Sequence, residues 1–149
     1  MRFDEIYMQA AILQAKKSLR EGGIPIGASL AVGETLVGLG HNRRVQKNDP
    51  ILHGETDCIR NAGRMSPNDY RDATLYTTLS PCDMCTGSIL MFGIGRVVIA
   101  ENSNFKGGEE LLLSRGVEVT VIDELEITQL LTRFISENPQ LWKEDISEI

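Results

Sequence analysis

Apolar side chains at Ile6, Ala10, Leu13 and Leu19 recur at near-helical spacing behind Asp4, a candidate cap, and the pair Gly22–Gly23 ends that pattern. "PIGASLAV" and "ETLVGLG" read as two strands turning at Gly33, a hairpin, and the polar "HNRRVQKNDPI" that follows reads as loop. From His53 the pattern turns helical and stops at Gly63. "ATLYTTLS", residues 73–80, is β-branched and aromatic, a strand, and Pro81 fits the first turn of a helix running to about Phe92. "RVVIA" is short and almost wholly apolar, as in a strand covered on both faces. A brief helix through Leu111 to Leu113, the strand "VEVTVI", and two further helical patterns (123–136, then after Pro139) complete the chain. Strands alternating with helices predict a layered α/β domain with a mixed sheet.

At 149 residues the chain has the size of a single domain, read here as 1–149 with one core and no linker. No internal repeat or low-complexity tract interrupts it. The N-terminal pattern carries charges throughout, unlike a secretion signal, and no stretch approaches the ~18 apolar residues of a membrane span. The formal net charge of −6 and the lack of a basic stripe argue against a nucleic-acid partner. The nearest basic group, Arg43, Arg44 and Lys47, is short and reads as a solvated face. A small-molecule substrate and a cytoplasmic location are the expectation. In that compartment the two thiols of a C-x-x-C stay reduced, and the motif means metal or redox chemistry.

That motif is Cys82 and Cys85, in "SPCDMC". Positions i and i+3 share one helix face, so both sulfurs can reach one point, and the positive end of the helix favours thiolates. His53 is the best third ligand; His41 and Cys58 are the other candidates. Cys58 stands about 140° round the helix from His53 and reads as a small core residue. His41, in "GHN", reads as a hydrogen-bonded structural histidine. Three ligands leave one position of a tetrahedral zinc site open, which is the catalytic pattern. Glu55, two residues after His53, supplies a carboxylate that can move the proton of an activated water. Alone it would be an ordinary first-turn acid. A thioredoxin-like reading leaves His53 and Glu55 without a role.

His53-Gly54-Glu55 followed by Pro81-Cys82-Asp83-Met84-Cys85 is the H-x-E…P-C-x-x-C signature of zinc nucleobase deaminases. Together with "EGGIPIG", "CIRNAGR", "TLYTTLSPCDMCTG", "ENSNFKGGE" and "PQLWKEDI", the chain resembles the fungal type of cytosine deaminase over nearly its whole length. The resemblance implies a three-layer α/β/α fold with a five-stranded mixed sheet, a homodimer, one zinc per subunit, and hydrolysis of cytosine to uracil and ammonia. It implies zinc on His53, Cys82 and Cys85, with Glu55 as proton shuttle. Asn42, the Gly54 backbone, the Ser80 carbonyl and Asp145 would hydrogen-bond the base, Phe105 and Trp142 would cover it, and Ile26 would line the pocket. Lys143 departs from the pattern, which has an aromatic residue there. The rival readings are a deaminase of another small base such as guanine, a tRNA adenosine deaminase, and a zinc-stabilised module without activity.

Overall fold

The computed structural model describes residues 2–149. Strands β1 (Gly27–Val32), β2 (Thr35–His41), β3 (Ala73–Thr77), β4 (Arg96–Ile99) and β5 (Glu118–Val121) form one sheet in the order β2-β1-β3-β4-β5. β1 pairs antiparallel with β2 and with β3, while β3, β4 and β5 run parallel, so the sheet is mixed and five-stranded as expected. Parallel neighbours need crossovers, and helices α5 (Asp83–Phe92) and α6 (Glu109–Ser114) supply them.

Alternate strand residues face opposite layers. Leu30, Leu75 and Val97 pack with Cys58 and Ile59 of α3 (Gly54–Ala62), with Ile89 of α5 and with Leu112 of α6. Ala31, Tyr76 and Val98 pack against α1 (Arg2–Arg20) and Ile127 of α7 (Leu125–Glu137). Helices therefore cover both faces. A third cluster, of Ile24, Ile26, Leu79, Leu131, Phe134 and Trp142, closes one end of the sheet, where the chain leaves β3 and where α8 (Pro139–Asp145) docks.

The structure corrects the sequence reading in several places. On α1 the buried stripe is Tyr7, Met8, Ala11, Ile12 and Ala15, whereas Ile6 and Leu13 are 51% and 60% exposed. Close approach decides this: a Cβ on Gly27 would stand 2.2 Å from the Ala11 carbonyl oxygen. Only the alanine stripe lets the helix lie that near the sheet. Asp4 is not a cap but a first-turn residue whose carboxylate accepts from the Arg96 guanidinium at 2.7 and 2.8 Å and from the Tyr76 hydroxyl at 2.7 Å.

The polar loop contains a short helix, α2 (Arg44–Lys47), and α4 (Pro67–Arg71), capped by the Ser66 hydroxyl, falls where no element was expected. Pro81 precedes the helix instead of opening it, because Cys82 takes the N-cap. α7 starts at Leu125, since Asp123 has φ of 54°, outside the helical region.

Candidate metal centre and active site

The N-termini of α3 and α5 meet here, beside the C-terminal end of α8 at Asp145. His53 is the extended N-cap of α3, its N–H donating to the Thr56 hydroxyl at 3.0 Å, which fixes the histidine's backbone. Cys82 is the N-cap of α5 and Cys85 lies in its first turn. His53 Nδ1 lies 3.4 Å from Cys82 Sγ and 3.8 Å from Cys85 Sγ. All three ligand atoms fall within 4.8 Å of one another. Around a tetrahedral zinc with ordinary bond lengths N···S separations are about 3.6 Å, and the two distances here bracket that value.

Without a metal the three donors share protons among themselves, protons that zinc would displace on binding. The Cys85 thiol donates to Cys82 and, with the nearby His53, brings the Cys82 thiol down to about 4 against the cost of burial. The Cys85 thiol is pushed well above its ordinary value, first by its bond to Cys82 and then by burial. Burial drives His53 down, but hydrogen bonds to Asp145 and Cys82 outweigh it and take the histidine up to about 10. Glu55, buried at 3% exposure, is raised to about 7, by burial first and by the Cys82 charge second.

The other side of His53 is also held: Nε2 lies 3.2 Å from Asp145 Oδ1. Asn42, fully buried, donates from Nδ2 to the same oxygen at 3.1 Å and accepts the Arg44 N–H at 3.0 Å. A small chamber of about 20 Å³ is lined by Ile26, His53, Glu55, Leu79, Ser80, Cys82, Phe105, Asp145 and Ile146. That is room for about one water. Outside it, a wider depression of about 650 Å³ shares a wall of His53, Cys82, Phe105, Asp145 and Ile146 with the chamber. Trp142 stands behind that wall, edge-on to Phe105 with ring centres 6.5 Å apart. Gly54 opens α3 next to Glu55, and a Cβ on it would stand 3.2 Å from the Ile26 carbonyl oxygen and 3.3 Å from the Gly27 Cα.

The structure thus brings Ile26, His53, Glu55, Ser80, Cys82, Phe105 and Asp145 to one chamber, with Cys85 among the ligand atoms and Asn42 tied on through Asp145. Leu79 and Ile146 also line it and escaped the sequence reading. Ile146 follows Asp145 and sits four residues after Trp142, an i, i+4 apolar pair that gave the available signal. His41 is structural, between Gln14 at 3.2 Å and Glu21 at 2.8 Å, and Cys58 is wholly buried in the core. Lys143 is exposed.

A donor set of one histidine and two cysteines, with a buried glutamate in the same chamber, has a matching family. Residues 1–101 fit the model of the cytidine and deoxycytidylate deaminase zinc-binding region. The chain belongs to that family. Its cofactor is zinc, and His53, Cys82 and Cys85 are the cluster among the described residues that could hold it. A curated relative, the cytosine deaminase of Candida albicans, is 52% identical over 99% of this chain and 100% of its own length. A tRNA-specific adenosine deaminase of Streptococcus pyogenes is 37% identical over 70% of this chain and 67% of its own. Among solved structures, a tRNA:A34 deaminase has a TM-score of 0.74 at 26% identity, covering 85% of this chain and 99% of its own. A guanine deaminase from Nitrosomonas europaea has a TM-score of 0.72 at 20% identity, over 87% and 83%, a likeness of fold. No helix among the described residues is long and apolar enough to cross a membrane.

Proposed function

We propose that this chain hydrolyses free cytosine to uracil and ammonia, working in the cytoplasm as a homodimer. The observation that carries the chemistry is Glu55: a buried carboxyl raised to about 7, in the chamber that His53, Cys82 and Cys85 also line or border. The end-to-end likeness to a cytosine deaminase, through α8, supports the choice of base.

In this reading His53, Cys82 and Cys85 hold the zinc. Bound there, zinc supplies Lewis acidity that brings the pKa of a water towards ~7. Glu55 takes one proton of the attacking water and delivers it to N3 as the water oxygen bonds to C4. It then takes the remaining proton of that oxygen and passes it to the amine nitrogen, whose bond to C4 breaks to release ammonia and leave the C4 carbonyl of uracil. Asn42 keeps one amide hydrogen and one oxygen lone pair beyond its bonds to Asp145 and Arg44. Those two reach O2 and N1–H of the free base, and a nucleoside lacks the N1–H. Asp145 has spent Oδ1 on His53 and Asn42, which leaves Oδ2 for the exocyclic amine. The Gly54 N–H and the Ser80 carbonyl complete the polar contacts, while Ile26, Phe105 and Trp142 exclude water from the ring. The acidic balance argues against a tRNA, and the end-to-end likeness to a cytosine deaminase favours a pyrimidine over a purine.

Replacing Glu55 with Gln tests the reading. Zinc content stays at one per chain while kcat falls about 10³-fold. Near-normal turnover by that variant would remove Glu55 from the mechanism.

A further inference from the structure

Two glutamates that the deamination chemistry does not use are buried at either end of the segment carrying Phe105: Glu101 at 1% exposure and Glu109 at 6%. A buried carboxylate is costly unless its oxygens are hydrogen-bonded, so each position has a reason to be sought. Glu101 serves its own segment. It accepts from the Ser103 N–H and hydroxyl and from the Asn104 N–H and side-chain amide, at 2.8 to 3.1 Å. That shapes the turn but does not tie it to the chamber.

Glu109 does tie it. Its Oε2 accepts the Ser80 hydroxyl at 2.7 Å, and its carboxylate accepts Asn102 Nδ2 at 3.2 and 3.3 Å. The same Ser80 oxygen accepts the Gly107 N–H at 2.9 Å, and the Ser80 N–H donates to the Glu101 carbonyl at 3.1 Å. Ser80 lines the chamber just ahead of Pro81 and Cys82. The returning chain then closes on Pro81: Gly108 N–H donates to the Pro81 carbonyl at 3.0 Å, and a Cβ on Gly107 would stand 1.9 Å from that oxygen. Phe105 therefore hangs on a loop fastened to the cysteine-bearing segment by backbone bonds at Glu101 and Gly108 and, between them, by the Ser80 hydroxyl as the side-chain link.

We propose that Glu109 is a positioning residue of the reaction: acting through Ser80, it holds the 101–108 loop against the Cys82 segment and so sets where Phe105 closes the chamber on the base. Glu109 touches neither substrate nor metal. It orients a hydroxyl that has two partners to choose between, donating to Glu109 and thereby presenting its lone pair to Gly107. Without that acceptor the hydroxyl hydrogen turns elsewhere, the Gly107 bond loses its defined partner, and Phe105 no longer has one position. The inference rests on the deaminase reading for its kinetic consequence, but not for its structural one.

The two are separated by Trp142, the one tryptophan of the chain, which packs edge-on to Phe105 and reports on that ring directly. Zinc-loaded wild type, Ser80→Ala, Glu109→Ala and Glu109→Gln are compared by acrylamide quenching of tryptophan fluorescence, zinc stoichiometry, and kcat and KM for cytosine. Ser80→Ala and Glu109→Ala are expected to keep zinc and to raise the quenching constant about twofold, with KM rising about tenfold and kcat falling less than KM rises. Glu109→Gln is expected to recover most of the wild-type quenching, because its amide oxygen still accepts from Ser80 and Asn102 can flip to accept from its nitrogen.

Should Glu109→Ala fail to fold, Ser80→Ala carries the same test with a smaller change. Unchanged quenching in Ser80→Ala, or a glutamine variant as impaired as the alanine one, would overturn the positioning role. Absence of cytosine turnover by the wild type would refute the substrate instead, and the quenching series would still decide the clamp.

Discussion

His53 presents Nδ1 to the two cysteine sulfurs while its Nε2 lies 3.2 Å from Asp145 Oδ1. A carboxylate on the far nitrogen fixes the ring's tautomer and orientation and strengthens it as a ligand. Asp145 therefore joins His53, on the metal side of the chamber, to the buried Asn42. Asp145→Ala is expected to weaken zinc binding about 10- to 100-fold, measured by competition with a chromogenic chelator. Asp145→Asn, whose oxygen can still accept from Nε2, should lose less. Unaltered zinc affinity in the alanine variant would confine Asp145 to the substrate.

Glu55 carries a stability signature in the metal-free protein. Its pKa is raised from 4.5 to about 7, chiefly by burial, so the ionised form is disfavoured in the fold. The stability it allows is full below its unfolded value and is lost as pH rises through about 7. Glu55→Gln removes that loss. Metal-free Glu55→Gln and wild type should melt alike near pH 4, and the variant should gain as pH approaches 8, by about 3 kcal/mol at most. Thermal melts across that range check it; a gap that does not change with pH would contradict the assigned burial cost.

The cysteines differ in reactivity for physical reasons. Cys82 is lowered to about 4 by the Cys85 and His53 hydrogen bonds, and it is partly accessible. Cys58 is wholly buried, and burial first, then the Asp57 charge, drives its thiol far up. In metal-free protein at pH 6, iodoacetamide should label Cys82 first and leave Cys58 unmodified, with added zinc protecting Cys82. Peptide mass mapping reads the outcome, and prompt labelling of Cys58 in folded protein would refute it.

How much of this the sequence disclosed depended on the range of the forces involved. Local pattern sufficed for the hairpin, for α3 ending before Gly63, and for the spacing that sets Cys82 and Cys85 on one helix face. Long-range contacts were a different matter. Ile6 and Leu13 looked like the core stripe of α1, but the packed stripe runs through Ala11 and Ala15 because Gly27 draws the helix backbone close. Asp4 read as a cap because its partners, Arg96 and Tyr76, lie on strands far along the chain. The Asp145–His53 contact and the Glu109–Ser80 bond span separations that no periodicity encodes.

That Asp4 pairing has an acid limb. The Arg96 hydrogen bond, chiefly, holds Asp4 at about 2 against an ordinary 3.8. A depressed carboxylate contributes stability above its unfolded pKa and loses it as pH falls through the folded one. Asp4→Asn should lower Tm by a few degrees at pH 7, and the gap should shrink between pH 4 and pH 2. A constant gap over that window would mean that the ion pair is not what holds α1 to the strand ends.

Ammonia release by zinc-loaded protein, with cytosine, cytidine, guanine and adenine compared under identical conditions, tests the central claim most directly. The account predicts fast turnover of cytosine and little of cytidine, which lacks the N1–H that the proposed Asn42 contact requires. Turnover of guanine or adenine with cytosine inert would contradict it.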